Sequence, residues 1–153
     1  MDTAKVVAAY LATMEEIEKL SFEEMTTTLL TNRSVVEAIL SCVSMLNTMV
    51  RICHGATAAL PLPSPRAFAF AYVAKHHPER ALADAPNGET LLQTAEAFLA
   101  AIDTLCRRIA EDKALYSIPD DLTALFQQNL SAYLAAFVAC TPAWPTAPLG
   151  PLA

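Results

Sequence analysis

The chain has 153 residues, 54% of them hydrophobic and 17% charged, with a mean hydropathy of +0.35; that is enough for one domain with a sizeable core and excludes disorder over most of its length. Gly occurs only three times and alanine is abundant, which favours helices over a turn-rich sandwich or barrel. The formal net charge is −6, from 10 basic and 16 acidic residues without a basic stripe, which argues against nucleic-acid binding.

In chain order, the first element is an amphipathic helix whose stripe is Val6, Val7, Tyr10, Leu11, Met14, Ile17 and Leu20. Acidic residues stand where a signal peptide needs a basic start, so this segment is expected to belong to the folded domain. Ser21 and Glu24 have the spacing of a capping box and open a short helix to about Leu30. Ser34 and Glu37 repeat that spacing and open a longer helix, striped by Val36, Ile39, Leu40, Val43, Leu46, Val50 and Cys53, with Gly55 as its stop.

The prolines of LPLPSP, residues 60–65, require an extended segment, and Ser64-Pro65 supplies an N-cap and first-turn pair for the next helix. That helix, RAFAFAYVAKHH, is apolar from Ala67 through Ala74, so it should be enclosed by other helices. His77-Pro78 ends or kinks it, and a loop follows around Asp84–Asn87. A long amphipathic helix carries Leu91, Leu92, Ala95, Phe98, Leu99, Ile102, Leu105, Cys106 and Ile109. After a turn near Ser117–Asp120, the last helix turns Leu122, Leu125, Phe126, Leu130, Tyr133, Leu134 and Phe137 inward. No apolar run reaches the roughly 20 residues of a membrane span, because Gln127, Gln128, Asn129 and then prolines interrupt the last one.

Beyond Cys140 the composition shifts to TPAWPTAPLGPLA, with Pro142, Pro145, Pro148 and Pro151 every third residue, the repeat of a polyproline II edge. A tail that packs Trp144 on the bundle or frays fits this segment better than a groove ligand, since no Lys or Arg flanks it. The expected fold is therefore all-α: one bundle of five to six helices over residues 1–140, a central apolar helix, and a proline-rich tail over 141–153.

Chemistry is sparse. Cys42, Cys53, Cys106 and Cys140 form no C-x-x-C pair and read as buried thiols in a reducing, cytoplasmic setting. Cys53, His54, His76, His77 and Glu79 have no recognised metal-ligand spacing, so no metal site is assigned. The carboxylate pairs Glu15-Glu16, Glu23-Glu24, Glu111-Asp112 and Asp120-Asp121 are sequence neighbours that diverge on a helix. No phosphate loop, dinucleotide fingerprint or nucleophile–base pattern occurs, and no cofactor or catalytic residue is assigned.

SPRAFAFAYVAKHHPERAL, residues 64–82, resembles the signature segment of the T-complex protein 11 family, where a basic residue opens an apolar helix closed by a His-Pro-type dipeptide. LSFEEMTTTLLTNRSVVEAILSCVSML resembles the family's upstream part, and FQQNLSAYLAAFVACTP, with Tyr133 and Phe137 four residues apart, its downstream helix. The chain departs from the family after Phe137, where Ala139-Cys140 stands in place of a Trp followed by Lys. The resemblance covers residues 20–140 of a family whose members are usually far longer. It implies an all-helical, non-enzymatic adaptor linked to cyclic-AMP-dependent kinase signalling. The positions it marks for binding are Arg66, Tyr72, His76, His77, Pro78, Glu79 and Arg80.

Three functions follow as expectations. The first is a protein-interaction or regulatory adaptor module. The second is a self-associating homodimer formed through Val7, Leu11 and Met14 of the first helix. The third is a binder of a small apolar ligand in a cavity near Phe68, Phe70 and Phe98.

Overall fold

The computed structural model describes residues 3–54, 64–83, 85–111 and 120–140, without the side chains of 50–54 and 120. Seven helices occupy these residues: α1 (Thr3–Ile17), α2 (Phe22–Thr31), α3 (Arg33–His54), α4 (Pro65–His76), α5 (Pro78–Ala81), α6 (Gly88–Glu111) and α7 (Asp120–Cys140). No strand is present among the described residues. The protein is an all-α bundle, and the helix beyond the expected five or six is the four-residue α5. Gly55, residues 60–63, the turn from Ser117 and the tail from 141 lie outside the described residues.

The start of α2 follows from its sequence. Ser21 Oγ accepts from the Glu24 backbone N–H at 3.2 Å, and Glu24 Oε1 accepts from the Ser21 N–H at 3.1 Å. The same reciprocal bonds hold the Glu24 carboxyl below its usual range, the backbone N–H of Ser21 acting most. Ser21→Ala removes one acceptor from an otherwise orphaned helix donor, and the expected cost is about 1 kcal/mol, read as a lower midpoint of urea unfolding with unchanged slope.

The box expected at Ser34 and Glu37 does not form. Asn32 takes the cap instead: its Oδ1 accepts from Val35 N–H at 3.2 Å while its own N–H bonds Thr28 O and closes α2. One residue thus ends one helix and starts the next, across a bend of 73°. Ser34 falls inside the first turn of α3, and Glu37 pairs with Arg33 at 3.6 Å.

At α4 the expected cap is present, with Ser64 Oγ accepting from Ala67 N–H at 3.2 Å and Pro65 in the first turn. The helix ends where Pro78 has no N–H to continue it, His77 taking φ −136° and ψ 59°. Between these ends, Ala67 through Ala74 are all buried. Alternation of alanine with Phe68, Phe70 and Tyr72 explains how: small residues admit neighbouring helices while the rings fill the space between them. Phe68 meets Phe98 of α6, Phe70 meets Phe137 of α7, and Tyr72 meets Tyr10 of α1. Tyr133 of α7 donates to the carbonyl of Ala67, in the first turn of α4.

Two expectations about faces need correction. The stripe of α1 finds its partners within the chain, because α1 packs on α3 and α6. Val7, Tyr10 and Ile17 are buried, so Val7 offers no surface to a second copy, whereas Leu11 and Met14 pack against the core and keep part of their surface exposed. On α7, Leu125 is 41% exposed. The buried side runs through Thr123, Phe126, Leu130 and Tyr133, and Leu125 lies roughly 100° away from it at 100° per residue.

The cavity expected near Phe68, Phe70 and Phe98 is filled by rings. Phe68 and Phe98 stand 5.7 Å apart between centroids, Phe98 and Tyr133 5.4 Å, and Phe70 and Phe137 5.7 Å. The space beside Phe68 measures about 10 Å³, room for about one water molecule and far below that of a ligand.

Candidate functional site

The structure separates the positions that the resemblance marks. Arg66 opens α4 with its guanidinium 5.3 Å from the centre of the Phe137 ring. His77 and Arg80 instead fasten α5 to the start of α2. His77 Nε2 donates to Leu20 O at 2.9 Å, and its ring meets Phe22 edge-on at 6.2 Å. Arg80 binds Glu23 Oε1 at 2.7 Å and lies 4.5 Å over the same Phe22 ring. Glu23 is lowered from the usual carboxylate range, first by its own backbone N–H and then by Arg80. Glu79 is exposed in the first turn of α5. Tyr72 and His76 alone among these positions converge on one cleft.

That cleft, about 500 Å³, lies between α1, the end of α4 and α6. Its floor holds the buried hydroxyls of Tyr10 and Tyr72, 2.6 Å apart. Burial is the main cause that pushes both phenols above their ordinary range, so both stay protonated around neutrality. Their mutual bond uses one of the two hydroxyl hydrogens and leaves the other for a further acceptor. The thiols of Cys42 and Cys106 stand nearby and act electrostatically on both phenols.

The walls carry both signs of charge. Glu15 comes from α1 and Glu18 from the turn after it, Lys75 from α4, and Asp103 and Arg107 from α6. Arg107 Nε binds Asp103 Oδ2 at 2.8 Å, and that bond is the main cause that raises the Arg107 guanidinium further. His76 differs from these, since its Nε2 is buried with no hydrogen-bond partner among the described residues. Burial, then Lys75, lowers the imidazole below 6.5, so the ring is neutral at pH 7.

A pH dependence follows with a definite sign. With the folded pKa below the unfolded one, the unfolded chain binds more protons as the pH falls through 6.5. Stability attributable to His76 is therefore complete above that pH and is lost on acidification down to the lowered folded value. His76→Gln is expected to flatten that part of a plot of urea midpoint against pH.

No protein-family model, no curated protein and no solved structure matches this chain. The likeness to the T-complex protein 11 family therefore rests on the segments quoted above, and the cleft must be judged from its own chemistry. Among the described residues, no three His, Cys, Asp or Glu side chains converge as metal ligands, and no single helix is long and apolar enough to cross a membrane.

Sequence reasoning marked Tyr72 and His76 but not Tyr10, Asp103 or Arg107 as their neighbours. One signal was available. Tyr10 and Tyr72 both sit at apolar-stripe positions, and a buried phenol needs a partner for its hydroxyl. Which stripe faces which is a tertiary fact that spacing does not carry.

Proposed function

We propose that the protein is a non-enzymatic interaction module that takes a segment of another protein in the cleft between α1, α4 and α6. The observation that carries this is the buried Nε2 of His76, without a partner among the described residues, which a neutral ring can use to donate or to accept. Beside it the tyrosine pair offers one spare hydroxyl hydrogen. A peptide backbone supplies both an N–H and a C=O, and side chains of either charge would meet Glu15 and Glu18 on one wall or Lys75 and Arg107 on the others. A nucleic-acid strand would bring only negative charge to walls with three acidic and two basic side chains, Glu15, Glu18 and Asp103 against Lys75 and Arg107. The family resemblance adds a regulatory adaptor role in cyclic-AMP-dependent kinase signalling, and Tyr72 and His76 are two of the positions it marks. The free thiols Cys42, Cys106 and Cys140 suit a reducing, cytoplasmic setting.

The test is site-specific photocrosslinking in the cells that make the protein. A benzophenone amino acid at Ala100, an exposed residue lining the cleft, should give a discrete adduct with a different protein. The same probe at exposed Ala135 on α7 should not. Lys75→Glu and His76→Ala in the Ala100 background should each weaken the adduct severalfold. An adduct between two copies of this chain would replace the adaptor with the self-associating homodimer, through this cleft, which Leu11 and Met14 of the α1 stripe also line. Identical adducts from both probe positions would defeat the proposal.

A further inference from the structure

We propose that Cys42 of α3 and Cys106 of α6 form a reversible dithiol–disulfide site that a peroxide oxidises and a small thiol restores. Their Sγ atoms are 3.4 Å apart although the residues are 64 positions apart in sequence. Both side chains are fully buried and both thiols are free. Closing the gap to a bond of about 2.0 Å asks roughly 0.7 Å of each sulphur, within reach of small χ1 adjustments on two helices.

The pair is distinct from the other thiol whose surroundings are described. Cys140 donates its S–H to Pro86 O at 3.0 Å, and no sulphur among the described residues bonds to it. Cys106 is held as a thiol, its contact with Cys42 and its burial both pushing it upward, and either sulphur can be the donor in that contact. Neither sulphur has surface in the folded state, so oxidation must follow a local opening and is slower than at an exposed thiol.

The chemistry balances with hydrogen peroxide as the oxidant. One sulphur, as thiolate, attacks the peroxide O–O bond and becomes a sulphenic acid, and the departing oxygen leaves as water after taking up a proton. The second sulphur then attacks the sulphenic sulphur, an S–S bond forms, the S–OH bond breaks, and a second water leaves. In sum, two thiols and one peroxide give one disulfide and two waters, and two electrons pass from sulphur to oxygen. Two exchange steps with a small thiol reverse it. The bond would join α3 to α6, helices that otherwise share α1 as their common neighbour, and would close a long loop in the unfolded chain.

The experiment uses the full chain, reduced and then exposed to substoichiometric hydrogen peroxide, quenched in acid, alkylated, and mapped by mass spectrometry of its peptides. The expected result is loss of two hydrogens and a linked pair of peptides carrying Cys42 and Cys106. Dithiothreitol should reverse it, and the Tm of the oxidised form should exceed that of the reduced form. The same chain unfolded in guanidinium is the control, in which links involving Cys53 and Cys140 should become as frequent as the 42–106 link. Preference for any other pair in the folded chain overturns the proposal. So does accumulation of sulphinic acid at Cys42 or Cys106, or failure of the folded chain to link at peroxide doses that oxidise the unfolded one.

Discussion

Phe98→Ala is expected to lower the unfolding free energy by about 3–5 kcal/mol, the range for a fully buried aromatic ring cut back to a methyl group. Phe98 has no exposed surface and lies where three helices meet. Its ring stacks nearly parallel on Tyr133 of α7, at 5° and 5.4 Å, and leans on Phe68 of α4 at 5.7 Å. Truncation removes the transfer term, two ring–ring contacts worth about 0.5–1.5 kcal/mol each, and leaves a cavity. Collapse into that cavity is restricted, because Tyr133 is tied to the Ala67 carbonyl and the alanines of α4 already sit against their neighbours. The loss is a large share of a domain stability of about 5–15 kcal/mol. Guanidinium unfolding should show a much lower midpoint at an unchanged slope, with Phe98→Leu recovering most of it. A cost below about 1.5 kcal/mol would mean that the three rings do not form a shared layer.

The central place of α4 could be read from the chain itself, because eight apolar residues in succession leave a helix no solvent face. Its two ends were equally readable, since Ser64-Pro65 and His77-Pro78 act through covalent geometry and local hydrogen bonds. Local rules misled where two of them competed. Asn32 and Ser34 are comparable N-caps, and Asn32 prevails because its backbone also closes α2. Periodicity shows that α1 has an apolar stripe but not that α3 and α6 bury Val7 and Tyr10 within it, so the stripe alone offers Val7 to a second copy. The cleft was half readable: Tyr72 and His76 come from one segment, whereas Tyr10, Asp103 and Arg107 reach it from residues far away in sequence. The sulphur pair is of the same kind, each cysteine lying on a core stripe with nothing in either stripe to say that they meet.

Tyr72→Phe should cost about 1–3 kcal/mol, chiefly because it leaves the buried Tyr10 hydroxyl without its partner. Tyr10→Phe should do the same to Tyr72. The double variant removes both hydroxyls and both desolvation penalties, so it should be more stable than the sum of the two losses predicts and close to or better than either single variant. Strictly additive costs would mean that each phenol is satisfied elsewhere, for example by the neighbouring sulphurs. The same three proteins bear on function. The double variant keeps the shape of the cleft but no longer offers the spare hydroxyl hydrogen. If a partner segment is read through that hydroxyl, the adduct at Ala100 weakens in the double variant although its stability has recovered. If the adduct instead follows stability through the series, strong in the double variant and weak in both singles, the tyrosine pair only props the cleft open and recognition falls to His76 and the charged walls.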